Sequence, residues 1–221
     1  MTAGVLFDVD GTLADTNYLH AVAWADAFRL YDHNVATSRL HALIGQGSDR
    51  LVRSILGRSE PRIVDAHADL YAARLQRLAA FDGSANLLHQ CKLRGLTIVL
   101  ATSASRHEAE HLRQAVDPGG CVDHLVTADD VAASKPSPDI VEAALAAADI
   151  AAQQCVFVGD SIWDVQAAAR AGVSCVCVLT GGNHELDLRG AGAIAIYADV
   201  ATLGREFDAS PLGGLVRRNA G

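Results

Sequence analysis

Two aspartates, Asp8 and Asp10, stand two residues apart at the end of the apolar run Val5-Leu6-Phe7. Strand geometry sends residues i and i+2 to the same side, so the two carboxylates are aimed together. At about 4 Å, in an effective dielectric near 20, they repel by about 4 kcal/mol. Such a pair needs a proton or a cation, and magnesium, a hard ion that takes oxygen ligands, meets that need. Asp160 lies in Gly159-Asp160-Ser161, after a second apolar run, Cys155-Val156-Phe157-Val158, with Asp164 four residues on. At a strand end beside the first pair, Asp160 would complete a metal site with Asp8 and Asp10. Lys135, in Ser-Lys-Pro-Ser-Pro, is one of two lysines in a chain with sixteen arginines. Its compact ammonium fits between a carboxylate and a phosphate oxygen better than a forked guanidinium does. Thr102, with Ser103 behind it, follows the run 96–101 and offers a hydroxyl and N–H groups to phosphate oxygens. Brought together, these are the parts that phosphoryl transfer needs. Taken singly, each has a plainer reading: a solvated turn for the Asp pair, helix caps for Thr102 and Asp160, an exposed loop for Lys135.

The elements that must position them alternate. Short β-rich runs end at Phe7, Ala101, Thr127, Val158, Leu179 and Tyr197, while segments 84–94, 105–116, 138–149 and 162–171 carry Ala and Leu at helical spacing. This alternation is the signature of an α/β fold with a doubly wound parallel sheet, whose ligands sit beyond the carboxyl ends of the strands. Between the first strand and the strand at 96 lies a stretch, 15–82, with no strand pattern, too long for a simple crossover. Ala21, Trp24, Ala25 and Phe28 share one helical face, as do Val64, Tyr71, Leu75 and Leu78, so this insert is expected to form a small helical-bundle cap domain. The core domain then comprises 1–14 and 83–208. The tail 209–221, with Gly213-Gly214, is expected to be poorly ordered.

Composition narrows the function. Half of the residues are hydrophobic, enough to fill an interior, and the formal charge of −8 disfavours nucleic acid as a partner. No run approaches the roughly 20 apolar residues of a membrane span. The chain is therefore expected to work in the cytoplasm, with its five cysteines reduced and its oligomeric state open. No GxxxxGK[ST] phosphate loop is present, which disfavours an ATP-driven kinase.

Asp8-Val9-Asp10-Gly11-Thr12-Leu13, Thr102, Lys135-Pro136 and Gly159-Asp160-Ser161-Ile162-Trp163-Asp164 resemble, in order, the four motifs of haloacid-dehalogenase-like hydrolases. The helical insert after the first motif resembles the cap of phosphoglycolate-phosphatase-like and β-phosphoglucomutase-like members. The resemblance implies a phosphatase that uses Mg2+ and acts on a small phosphorylated metabolite. Asp8 would be the nucleophile that becomes an aspartyl phosphate, and Asp10 the general acid and base. It also implies a metal held by Asp8, Asp160 and the Asp10 backbone carbonyl, with Asp164 ordering the metal's surroundings, and phosphate contacts from Thr102, Ser103 and Lys135. In the cap, His20 and Arg50 are the candidate substrate-binding residues, Arg50 as the partner of a second anionic group. A sugar phosphomutase is the nearest rival reading, but the cap has no lysine, which the mutase resemblance leads one to expect. A non-catalytic phosphate-binding module would need neither nucleophile nor proton donor.

Overall fold

The computed structural model describes residues 3–219. Its elements run β1 (Gly4–Phe7), α1 (Asn17–Leu30), α2 (Thr37–His41), α3 (Ser48–Leu56), α4 (Pro61–Ala72), α5 (Ser84–Leu93), β2 (Thr97–Ala101), α6 (Arg106–Val116), β3 (His124–Val126), α7 (Asp139–Ala148), β4 (Cys155–Gly159), α8 (Ile162–Arg170), β5 (Ser174–Val178), α9 (Glu185–Ala191), β6 (Ala195–Tyr197), α10 (Val200–Arg205) and α11 (Pro211–Asn219). The six strands form one parallel sheet in the order β3-β2-β1-β4-β5-β6. Period-two alternation splits their side chains between two cores. Val5, Phe7, Ile98, Leu100, Val156 and Val158 face a layer built on α5, α6, α10 and α11. Leu6, Val99, Phe157, Cys175 and Cys177 face α7, α8 and α9. Burial on both faces explains why the strands read as continuous apolar runs.

The chain leaves the sheet after β1 and returns before α5. The two crossings touch: Asp15 N donates to Ala79 O at 2.9 Å and Phe81 N to Leu13 O at 2.9 Å. Between them, α1 to α4 enclose a separate hydrophobic cluster of Trp24, Phe28, Leu40, Leu51, Val52 and Ile63.

Two expectations are corrected. Helix α4 stops at Ala72, so Leu75 lies in a 3₁₀ turn and Leu78 packs against the sheet layer instead of sharing a face with Val64 and Tyr71. The expected disordered tail contains helix α11, with Leu212 and Leu215 buried. Those two leucines cover the sheet core and outweigh the low helix propensity of Gly213-Gly214; residues 220–221 lie outside the described chain. All five cysteines are free and buried. Among the described residues no helix is long and apolar enough to cross a membrane.

Candidate active site

Strand β1 is where the sheet order reverses, with β2 on one side and β4 on the other, the place at which such sheets bind ligands. Asp8 directly follows β1, and its N–H donates to Val158 O at 2.9 Å, extending the β1–β4 ladder one residue further. Asp160 follows β4 and Thr102 follows β2. The turn after Asp10 requires glycine. Gly11 has φ of +77°, and a Cβ there would lie 2.3 Å from Asn17 Nδ2 and 2.7 Å from Asp160 Oδ2.

Lys135 is the hub. Only 1% exposed, its Nζ donates to Asp8 Oδ1 at 2.6 Å and to Asp164 Oδ1 at 2.8 Å. The other oxygen of Asp164 accepts from Ser161 N at 3.0 Å and Ser161 Oγ at 2.7 Å, the capping box that starts α8. One aspartate thus fixes a helix end and a lysine together. Asp160 accepts from Thr12 Oγ1 at 3.1 Å and Asn17 Nδ2 at 3.0 Å.

Carboxylate oxygens of Asp8, Asp160 and Asp164 lie within 4.8 Å of one another, while the carboxylate of Asp10 belongs to a different group. Burial, only partly offset by Lys135 and reinforced by the charge of Asp164, pushes Asp8 up to about 8. Burial and then Asp164 and Asp8 push Asp160 well above the usual carboxylate range. Lys135, which burial alone would discharge, is held charged by Asp164 and Asp8. Three buried carboxylates around a single ammonium leave an excess of negative charge on hard oxygen donors. A divalent cation such as magnesium fits that donor set.

Asp10 is held by donors. Burial opposes its ionisation, but His20 and Thr16 prevail and keep its carboxyl below the ordinary value. Thr16 Oγ1 donates to it at 2.6 Å, Thr102 Oγ1 at 3.3 Å, and His20 Nε2 lies 3.4 Å away. His20 Nε2 is also 3.4 Å from Glu108 Oε1, and its Nδ1 is 3.2 Å from His67 Nε2. Despite burial, the Asp10 and Glu108 carboxylates raise the His20 pKa. Burial and then the neighbouring His20 lower that of His67 well below 6.5. Tyr71 stacks on His20 and Trp24 on His67, each with ring centroids 3.8 Å apart. A cavity of about 340 Å³ opens beside these groups, lined by Asp8, Asp10, His20 and Glu108 together with Trp24 and Gln46.

The structure thus gathers Asp8, Asp10, Thr102, Lys135, Asp160, Asp164 and His20. Ser103 also lines the cavity, and its Oγ donates to Gly45 O at 3.4 Å, which joins the sheet to the insert. Arg50 does not reach this cavity; with Arg53 it lines a separate groove. Sequence reasoning gave no role to Thr12, although it stands in the first motif, nor to Thr16 and Asn17, which the polar triplet Asp15-Thr16-Asn17 signalled. It also missed Glu108 and His67, of which only the i, i+4 spacing of His67 and Tyr71 gave a hint, whereas Gln46 lies in the loop 45–50 expected to choose the substrate.

Fold and site define an α/β protein with an acidic, lysine-bridged site at the switch point of its sheet. The chain belongs to the haloacid dehalogenase-like hydrolases, whose family model matches residues 2–172. A validoxylamine A 7'-phosphate phosphatase of Streptomyces hygroscopicus subsp. limoneus is 32% identical over 186 residues, 81% of this chain and 87% of that protein. A phosphoglycolate phosphatase of Rhodospirillum rubrum is 28% identical across 92% of this chain and 90% of its own length. The crystal structure of a hydrolase from Pseudomonas syringae superposes with a TM-score of 0.89 at 30% identity, covering 94% of this chain and 99% of that one.

Proposed function

We propose that this hydrolase is a magnesium-dependent phosphatase of a small phosphorylated metabolite, working through an aspartyl phosphate on Asp8. The carrying observation is the pairing of Asp8, bound through one oxygen to Lys135, with Asp10, held in its own set of donors, at one cavity. Oδ2 of Asp8 attacks phosphorus as the ester P–O bond breaks, and Asp10, in its protonated form, gives its proton to the departing alkoxide. Asp10, now a carboxylate, takes a proton from the water that attacks the aspartyl phosphate, so that phosphate leaves and both aspartates are restored. The lowered pKa of Asp10 suits the second half of this cycle, and His20 and Thr16 hold the carboxylate in place for it. Lys135 and Thr102 counter charge on the transferring group. Asp8 and Asp160 would hold magnesium, with Asp164 ordering its surroundings, and the ion would screen the incoming dianion. Segment 15–82 acts as a cap over a core made of 1–14 and 83–208, to which α11 adds Leu212 and Leu215.

Phosphate release from a panel of monoesters tests this reading. Turnover should require Mg2+ and fall at least on the order of 10⁴-fold in Asp8→Asn, with the melting temperature retained. An Asp8→Asn protein that keeps its turnover sinks the nucleophile assignment. Isomerisation of an aldose 1-phosphate without phosphate release would favour the mutase.

A further inference from the structure

The displaced Arg50 leaves a question about what the cavity does bind. Among the described residues, no lysine or arginine lines it. Arg50 and Arg53 face a neighbouring groove, and the hydrogen bond from Ser134 Oγ to Asp49 Oδ1, at 2.7 Å, joins two residues common to both linings. Beyond Asp8 and Asp10, the acidic side chains at the cavity are Glu108, Asp49 and Asp129. Of the cations near the reacting end, Lys135 is already committed to Asp8 and Asp164, and His20 lies between Asp10 and Glu108, 3.4 Å from each.

Two buried polar atoms on this lining make no hydrogen bond, Gln46 Nε2 and Glu108 Oε1, the latter facing His20 Nε2 at 3.4 Å. Gln46 is only 8% exposed, so its amide has little access to solvent. Leaving such groups unpaired is costly, and a ligand that satisfies both is favoured. One is an acceptor and the other a donor. An alcohol, which both donates and accepts, matches the pair. A carboxylate or phosphate can accept from Gln46 but would sit among the acidic side chains of Glu108, Asp49 and Asp129, with no lysine or arginine among the described lining residues to offset it. The intervening wall of Trp24, Ile44, Leu51 and Val64 is apolar and suits the C–H faces of a carbon skeleton. A volume of about 340 Å³ suits one of monosaccharide size.

We propose that this site selects phosphate monoesters of uncharged, monosaccharide-sized polyols, binding their hydroxyls through Glu108 and Gln46, and rejects esters whose leaving group carries a second anion. The inference rests on the phosphatase reading and narrows it. It also separates this chain from its phosphoglycolate phosphatase relative, whose named substrate carries a carboxylate.

The test compares kcat/KM for p-nitrophenyl phosphate, a hexose 6-phosphate, a hexose 1,6-bisphosphate and phosphoglycolate, all with Mg2+. The hexose monophosphate should exceed both anionic esters by about tenfold or more. Glu108→Gln should narrow that gap through a lower KM for the anionic esters, and Gln46→Glu, which adds a like charge, should widen it. Turnover of p-nitrophenyl phosphate together with equal or better use of phosphoglycolate or the bisphosphate overturns the inference and leaves the phosphatase standing. A gap unmoved by either variant overturns the roles of Glu108 and Gln46. No release from any of the four esters overturns the phosphatase reading and this inference with it.

Discussion

The strand ends and the insert face each other across one cavity, and both are buried, yet they are built from different interactions. At the strand ends Asp8, Lys135, Asp160 and Asp164 are tied by hydrogen bonds to one another and to the backbone of a helix start. On the insert His20, His67, Trp24 and Tyr71 are held to one another by ring stacking and one contact between imidazoles, and His20 alone reaches carboxylates of the core, Asp10 and Glu108. Among the described residues, four of the buried polar atoms without partners, on Asn17, His41, Gln46 and Tyr71, belong to the insert. Rigid, charge-dense strand ends suit a reaction whose geometry must not vary. A stacked face with unused donors and acceptors suits recognition of a group that can vary from one relative to the next.

Removing Lys135 is the sharpest way to break this contrast. In Lys135→Met, Asp8 and Asp164 lose their common partner, and kcat should fall on the order of 10²–10³-fold. Stripping one member from a buried ion pair costs about 3–5 kcal/mol, so the melting temperature of the metal-free protein should drop as well. Added Mg2+ should recover part of that loss without restoring turnover. A variant with normal kcat and raised KM would move Lys135 to the recognition side.

A smaller effect should come from the seam between the regions. Gly47 has φ −66° and ψ 157°, which any residue accepts, so only space forbids a side chain there. A Cβ would lie 2.1 Å from Ser134 Oγ and 2.3 Å from Ser134 Cβ. Gly47→Ala should therefore push the insert off the strand ends and raise KM by about tenfold with kcat little changed. The same change made with Ser134→Gly removes the obstructing atoms and should recover most of the loss, the coupling expected of residues in contact. Equal effects in the two backgrounds would show that the seam does not transmit to binding.

Legibility in the sequence follows the same division. The strand ends could be read because continuous apolar runs stop at aspartates or threonine, and these patterns are local: β2, β4, α6 and α8 start or end within about two residues of the segments read from the sequence. The lysine bridge could be anticipated only as chemistry, since its contacts span 127 and 29 residues of sequence. The insert resisted because its partners are distant neighbours. Glu108 comes from α6 and meets His20 of α1 only when the insert sits over the sheet. Arg50 misled because it lies on α3 next to Asp49, and successive helical residues turn by about 100°, enough to send it into the next groove.

The mildest expectation concerns pH and the metal, and it separates the two regions by their charge. Asp8 is pushed up to about 8 and Asp160 also upward by burial, against an ordinary value of 3.8. Between those values the folded chain binds more protons than the unfolded one, so metal-free stability falls as pH rises. Glu108, pushed up to about 7 by burial, acts in the same direction. His20, raised by its carboxylate neighbours although burial opposes them, stabilises below its ordinary 6.5 and loses that contribution as pH rises. His67, lowered by burial, works the other way, because it must charge on unfolding in acid. Three carboxylates and one imidazole outweigh one imidazole, so the melting temperature without metal should decline between about pH 5.5 and 8. Magnesium bound at Asp8 and Asp160 would displace their protons and should raise the melting temperature more at pH 8 than at pH 6. In Asp160→Asn this pH-dependent gain should shrink, whereas in His67→Phe it should persist. Scanning calorimetry of the three proteins with and without Mg2+ checks this, and a gain that is lost in His67→Phe and kept in Asp160→Asn would put the metal on the insert side of the cavity.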